Sequence, residues 1–249
     1  MRILFTICGR AGSKGFKNKN LKEMNGVPLV YYTLSAILCY KETHSDEIDV
    51  ALNTDSEHLI DLIKRQDKLE VKIVPRKPQL AGDTIGKVDV IKDTFVEVGE
   101  TYDVVIDLDL TSPMRTVRDI EKVISVYNEN SSFEWVTTVV PSRRSPYFNM
   151  VEENDGAYKQ VCKTDFTARQ QAPLTYDLNA SIYAYRPSFL GGEINGTLLD
   201  YRLGISIMED YLVLDIDSEE DFVMMSKLHK YYCSIDEGIK QIFATAQLF

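Results

Sequence analysis

From Ile3 to Val140 the chain alternates short apolar runs with segments of helical periodicity. Ile3 to Cys8 is an apolar run closed by a glycine-rich turn, the pattern of a buried strand. Val27 to Tyr40 reads as a helix with Pro28 in its first turn, where a missing N–H costs nothing. Ile48 to Leu52 is strand-like, and Asn53-Thr54-Asp55-Ser56 offers turn and N-cap side chains to a helix over Glu57 to Arg65. The rhythm continues with strands at Glu70 to Val74, Asp103 to Leu108 and Glu134 to Val140. Helical periodicity covers Ile85 to Val98 and Thr116 to Tyr127. Strands alternating with helices predict an α/β fold, a mostly parallel sheet with helices on both faces.

The alternation breaks after Pro141. Tyr147 to Val161 reads as a hairpin around Asn154-Asp155-Gly156, residues suited to the φ > 0 positions of a tight turn. Ala180 to Tyr185 and Tyr211 to Asp215 read as two more strands, and Glu219 to Tyr232 as a closing helix. No internal repeat or linker divides the chain, so residues 1–249 are expected to form one domain. Residues of about 141–178 read as an excursion from it, the expected dimer arm.

Charge narrows the function. With 38 acidic and 28 basic residues the net charge is −10, which argues against duplex nucleic acid or an anionic membrane as partner. A phosphate substrate would require the few cations to be gathered in one place. The four cysteines form no CxxC pair, and the three histidines are too scattered for zinc spacing. The first residues, MRILFTICGR, hold too short an apolar stretch for a signal segment, so a cytoplasmic location is expected.

Four stretches carry candidate chemistry. Gly9-Arg10-Ala11-Gly12-Ser13-Lys14-Gly15 follows the first strand, and Arg10, Lys14, Lys17 and Lys19 place four cations close together. Glycines let backbone N–H groups approach an anion, so this loop suits a phosphate, although a solvated glycine turn would look alike. It matches neither GxxxxGK[ST] nor GxGxxG, which leaves a dinucleotide-dependent oxidoreductase without its fingerprint. Asp215-Ile216-Asp217 would put two carboxylates on one side of a strand, a donor pair suited to Mg²⁺, while Asp217 or Ser218 equally suits a helix cap. Asp107 to Arg115 sits at another strand end, where Thr111 and Ser112 offer substrate contacts or a cap. Arg169-Gln170-Gln171-Ala172-Pro173 precedes a strand and contains a residue type that grips carboxylates in a bidentate manner, though an isolated arginine is more often plain surface.

Together these stretches resemble the acylneuraminate cytidylyltransferase family, which activates sialic and related nonulosonic acids as CMP-sugars. Its motifs occur in order as Arg10-x-Gly12-Ser13-Lys14-Gly15, Lys19-Asn20-Leu21, Arg76 with Leu80-Ala81-x-Asp83-Thr84, Thr111-Ser112-Pro113-x-Arg115, Arg169-Gln170, Asn179-Ala180-x-Ile182-Tyr183 and Asp215-Ile216-Asp217. The resemblance implies a nucleotide-diphospho-sugar transferase-like fold and gives Arg10, Gly12, Ser13, Lys14, Gly15, Asn20 and Arg76 to the nucleotide. It gives Lys19 to charge neutralisation at the α-phosphate of CTP, and Asp215 and Asp217 to Mg²⁺. Thr111, Asn179 and Tyr183 fall where the family contacts the sugar acid, and Arg169 matches an arginine that reaches the partner site of a homodimer. Two departures stand out: Asp109-Leu110 where sialic acid enzymes usually carry glutamine, which gives Asp109 to the sugar acid, and Lys87 where the nucleotide region usually carries serine, which gives Lys87 to the nucleotide. Both look more like the subgroup that activates legionaminic acid. N-acetylneuraminate, Kdo and a non-catalytic relative remain the alternatives. Residues Cys233 to Phe249 have no counterpart in the resemblance.

Overall fold

The computed structural model describes residues 1–12, 16–82 and 84–249. In chain order the first elements are β1 (Arg2–Gly9), β2 (Glu23–Met24), β3 (Val27–Pro28), α1 (Leu29–Thr43), β4 (Glu47–Thr54), α2 (Glu57–Arg65), β5 (Lys72–Pro75), α3 (Lys87–Val98) and β6 (Val104–Leu108). Then follow α4 (Val117–Glu129), β7 (Trp135–Pro141), β8 (Val151–Asn154), β9 (Ala157–Gln160), β10 (Tyr176–Tyr185), α5 (Pro187–Gly191), β11 (Leu203–Ile207), α6 (Glu219–Tyr232) and α7 (Glu237–Ala246). Seven strands form the main sheet in the order β11-β7-β10-β6-β1-β4-β5. Only β10 runs antiparallel to its neighbours. The parallel strands therefore all end on one edge, where open α/β sheets bind their ligands.

Strand alternation divides the core in two. Ile3, Phe5 and Ile7 of β1 join Leu34 and Ile37 of α1 and Ile120 and Val123 of α4 on one face. Leu4 of β1, Ala51, Val105 and Trp135 meet Val88 and Ile91 of α3 and Phe189 of α5 on the other. Both faces are thus covered, as the apolar runs require.

Caps set most helix starts. The Ser56 side chain accepts the Leu59 N–H ahead of α2, and Thr116 and Asp119 cap α4 reciprocally. Pro28 lies one residue before α1 rather than inside its first turn. The expected strand at Tyr211 to Asp215 is absent: Asp210–Val213 forms a 3-10 turn instead. Its Leu212 carbonyl accepts the Asn179 side-chain amide at 3.0 Å, so side chains tether this segment and no ladder does. The outer strand on that side is β11, where alternating Leu203, Ile205 and Ile207 flank Gly204. A Cβ at Gly204 would stand 2.5 Å from the Phe133 ring, so the glycine is needed for close packing there.

Residues beyond α6 form a further helix. Asp236 accepts the Ile239 N–H to start α7, whose Ile239, Ile242 and Ala246 are buried. Phe249 then stacks on Tyr31 of α1, ring centroids 5.4 Å apart. The excursion between β7 and β10 carries the β8–β9 hairpin, with Asp155 and Gly156 both at positive φ in its turn. Both hairpin strands are exposed.

Candidate active site

Two groups of residues meet at the C-terminal edge of the sheet. The first surrounds the loop after β1. Gly9 permits the close packing there, because a Cβ would stand 2.6 Å from Leu59 and 2.9 Å from Leu110. At Gly12 a Cβ would meet nothing within 4 Å among the described residues, so Gly9 is the sterically required glycine. Ser13, Lys14 and Gly15 lie outside the described residues.

Lys19 and Asn20 follow in a 3-10 turn entered through Asn18 at φ 57°. The Lys19 ammonium donates to Asp217 Oδ1 at 2.9 Å and to the Ile216 carbonyl at 3.1 Å. This ion pair joins residues far apart in sequence and stays wet, with Asp217 71% exposed. Asn20 is buried, and its amide donates to the Arg10 carbonyl at 3.2 Å. Arg76, just beyond β5, donates from Nε to Asn53 Oδ1 at 2.9 Å and from Nη2 to the Asn53 carbonyl at 3.1 Å.

Ser218 caps α6 with Asp221, which leaves the carboxylates of Asp215 and Asp217 outside the capping pair. Burial raises the Asp215 carboxyl above its ordinary value, and the charges of Asp217 and Asp109 raise it further. Carboxylates under mutual repulsion are the hard oxygen donors a divalent cation favours. Among the described residues no cluster of three or more His, Cys, Asp and Glu forms a complete metal cage. A cation here would complete its shell with water and phosphate oxygens.

The second group is drier. On the α3 face the apolar side chains of β1, β6 and β10 give way toward this edge to Thr6, Cys8, Asp107 and Tyr183. Lys87, the first residue of α3, reaches into them and pairs with Asp107 Oδ2 and Asp109 Oδ2, both at 2.6 Å. Its ammonium also lies 4.8 Å from the Tyr183 ring centroid. Asp107 is fully buried and Asp109 19% exposed. Burial opposes the charge of Lys87, but Asp107 and then Asp109 outweigh it and hold the ammonium well above its usual range. Burial likewise pushes Asp109 up, yet Lys87 and two bonds from Thr111 bring it down to about 2. Burial lifts the Tyr183 phenol to about 12, against the influence of Lys87, so it is a neutral hydroxyl at neutral pH.

Several expectations change with this geometry. Lys87 is committed to two carboxylates, which leaves the nucleotide role assigned to it without a free charge. Asn179 is buried, with Oδ1 accepting from Thr138 at 2.7 Å and Nδ2 donating to Leu212. Its amide holds the chain in place, and a direct sugar contact would require breaking those bonds. Arg169 donates to the Ser142 carbonyl at 3.3 Å within the arm. Asp107 falls in a candidate stretch but carries no role in the sequence, because nothing there separates it from other strand-end acids; its period-2 spacing to Asp109 is the available signal. Arg115 is fully buried and bonds the Asp109 and Ser112 carbonyls, which braces the Asp109 turn from below. A cleft of about 370 Å³ at the opposite edge holds Arg2, already paired with both Asp49 and Glu100.

The family model for cytidylyltransferases matches residues 4–230. The post-translational flagellin modification protein B of Campylobacter coli is 35% identical over 92% of this chain and 95% of its own length. The CMP-N,N'-diacetyllegionaminic acid synthase of Campylobacter jejuni is 33% identical over 91% of this chain and 94% of its own. The N-acylneuraminate cytidylyltransferase of Streptococcus agalactiae serotype V is 26% identical, over 90% of this chain and only 52% of that protein. Among solved structures, a CMP:2-keto-3-deoxy-manno-octonic acid synthetase complexed with CTP superposes with a TM-score of 0.66 at 14% identity, covering 93% of this chain and 99% of that one.

Proposed function

The chain belongs to the cytidylyltransferase family, and on that premise we propose that it transfers a cytidylyl group from CTP to a nonulosonic acid of the legionaminic type, releasing pyrophosphate. The observation that carries the reading is the Lys19–Asp217 contact, which brings the turn that follows the glycine loop and the Asp215-Ile216-Asp217 segment to one point of the sheet edge. A triphosphate needs a cation on one side and carboxylates able to hold a metal on the other, and the placement of Lys19 beside Asp217 supports that reading. The relatives that match over nearly their whole length favour a legionaminic substrate over N-acetylneuraminate.

In this reading the anomeric hydroxyl of the sugar acid attacks the α-phosphate in line with the departing pyrophosphate. The chain's task is alignment and charge stabilisation, as in other phosphoryl-type transfers. Asp215 and Asp217 would hold Mg²⁺, which when bound polarises the phosphate and lowers the pKa of an attacking hydroxyl. Lys19 has alternative partners of similar charge: it sits on Asp217 without substrate and would exchange that carboxylate for phosphate oxygens. Asp109, ionised above a pH of about 2, accepts hydrogen bonds and donates none. A sugar group meeting it would have to be a donor, an amide N–H or a hydroxyl, sharing the carboxylate with Thr111 and Lys87. The exposed arm and Arg169 fit a homodimer in which the arm reaches a second subunit, and no described helix is long and apolar enough to cross a membrane.

Incubating the protein with CTP, Mg²⁺ and a panel of legionaminic, neuraminic, pseudaminic and Kdo acids should give a CMP-sugar by mass, with the legionaminic acid turned over fastest. Absence of any CMP-sugar across the panel would overturn the reading.

A further inference from the structure

The end of β4 carries three consecutive side chains, Asn53, Thr54 and Asp55, each directed at the nucleotide half of the site. Thr54 Oγ1 donates to the Gly9 carbonyl. The Asp55 carboxylate accepts the Ala11 N–H at 2.7 Å. Asn20 holds the residue between them, donating to the Arg10 carbonyl. Three successive residues of a glycine loop are thereby tied, one backbone group each, to side chains outside it. Asn53 meanwhile grips Arg76 twice.

Two features separate this arrangement from ordinary turn chemistry. Helix α2 takes its cap from Ser56, so Asp55 is not needed to start it. Asn53 is fully buried, and its Nδ2 has no hydrogen-bond partner among the described residues, a cost borne while Oδ1 holds the Arg76 guanidinium. Asp55 also places a negative charge beside a loop that is to receive a triphosphate. Such a charge weakens anion binding unless the bond it makes is worth more than the repulsion.

We infer that Asn53-Thr54-Asp55 is a positioning segment that pre-shapes the Gly9–Ala11 backbone and the Arg76 side chain for CTP. This rests on the cytidylyltransferase reading. A loop rich in glycine loses much conformational entropy when it closes on a phosphate. Anchoring its backbone before the ligand arrives transfers that cost to folding and leaves affinity higher. The sugar half, held by Lys87 and Arg115, shares none of these bonds.

The test is calorimetric binding of CTP to the full chain together with KM for each substrate, on wild type, Asp55→Ala, Asp55→Asn and Thr54→Ser. Asp55→Ala should weaken CTP binding roughly tenfold, the scale of a charge-assisted hydrogen bond, with KM for the sugar acid unchanged. Asp55→Asn and Thr54→Ser should bind CTP nearly as wild type, because each keeps the atom that makes the bond. Rescue by Asp55→Asn also separates hydrogen bonding from charge. Equal or tighter CTP binding by Asp55→Ala would overturn the inference, since the carboxylate would then only obstruct the loop. The same holds if KM rises equally for both substrates. A wild type that binds no CTP would instead overturn the functional reading on which the inference stands.

Discussion

Two lysine–carboxylate groups sit at the same sheet edge and behave in opposite ways. Lys19 meets the exposed Asp217, while Lys87 lies between the fully buried Asp107 and the largely buried Asp109. An exposed ion pair in water contributes about 0–1 kcal/mol, so Lys19 can leave its partner for a phosphate at little cost. Lys87 has no such freedom although its side chain is 29% exposed against 21% for Lys19, because releasing it would strand the charge of the fully buried Asp107. The first group is therefore suited to chemistry and the second to shape. The phenol of Tyr183 and the turn at Thr111 are held in place by the second group's charges.

Breaking the open pair should show the largest effect. Asp217→Ala is expected to lower kcat on the order of 10³-fold, the scale of losing a charge-stabilising group at a reacting phosphate. Its urea unfolding midpoint should stay at the wild-type value. Turnover at the wild-type rate would remove Asp217 from the metal site.

The closed group predicts the reverse pattern. Lys87→Met leaves Asp107 and Asp109 unpaired and should cost about 3 kcal/mol of stability in urea unfolding, as for other broken buried pairs. A loss no larger than that of a surface lysine would mean the pocket is wetter than its burial indicates.

The smallest effect is an acid one. Folding lowers the Asp109 carboxyl from 3.8 to about 2. A folded-state pKa below the unfolded value adds stability that is present above pH 3.8 and is lost as pH falls toward 2. The amount is about 2 kcal/mol at most. Asp109→Asn should flatten the stability–pH curve in that window; an unchanged slope would place the acid sensitivity elsewhere.

Much of the architecture was legible beforehand. Helices α2 and α6 span the residues their periodicity and caps predict, because Ser56 and Ser218 mark their starts locally. Tyr211 to Asp215 misled because a short apolar run looks alike in a strand and in a buried turn, and only Asn179 and Thr138 decide between them. Helix α7 shows helical spacing at Ile239, Ile242, Phe243 and Ala246, but no chemistry-bearing motif falls on it. The site shows the same division. Lys19, Asp215 and Asp217 can be named from their motifs, whereas Asn53 and Asp55 read only as turn and cap residues and Asp107 as one strand-end acid among several.

By itself the sequence determined the two-faced sheet, the glycine turn after β1 and the supply of cations and carboxylates at strand ends. Local periodicity, glycine's backbone freedom and side-chain chemistry suffice for those. Which lysine is free was decided only by the tertiary structure. Lys19 and Lys87 are the same residue type with the same intrinsic charge, and their partners lie on strands and turns distant along the chain. The number and the burial of the partner carboxylates, both products of long-range packing, make one a movable ligand for phosphate and the other a fixed post of the pocket.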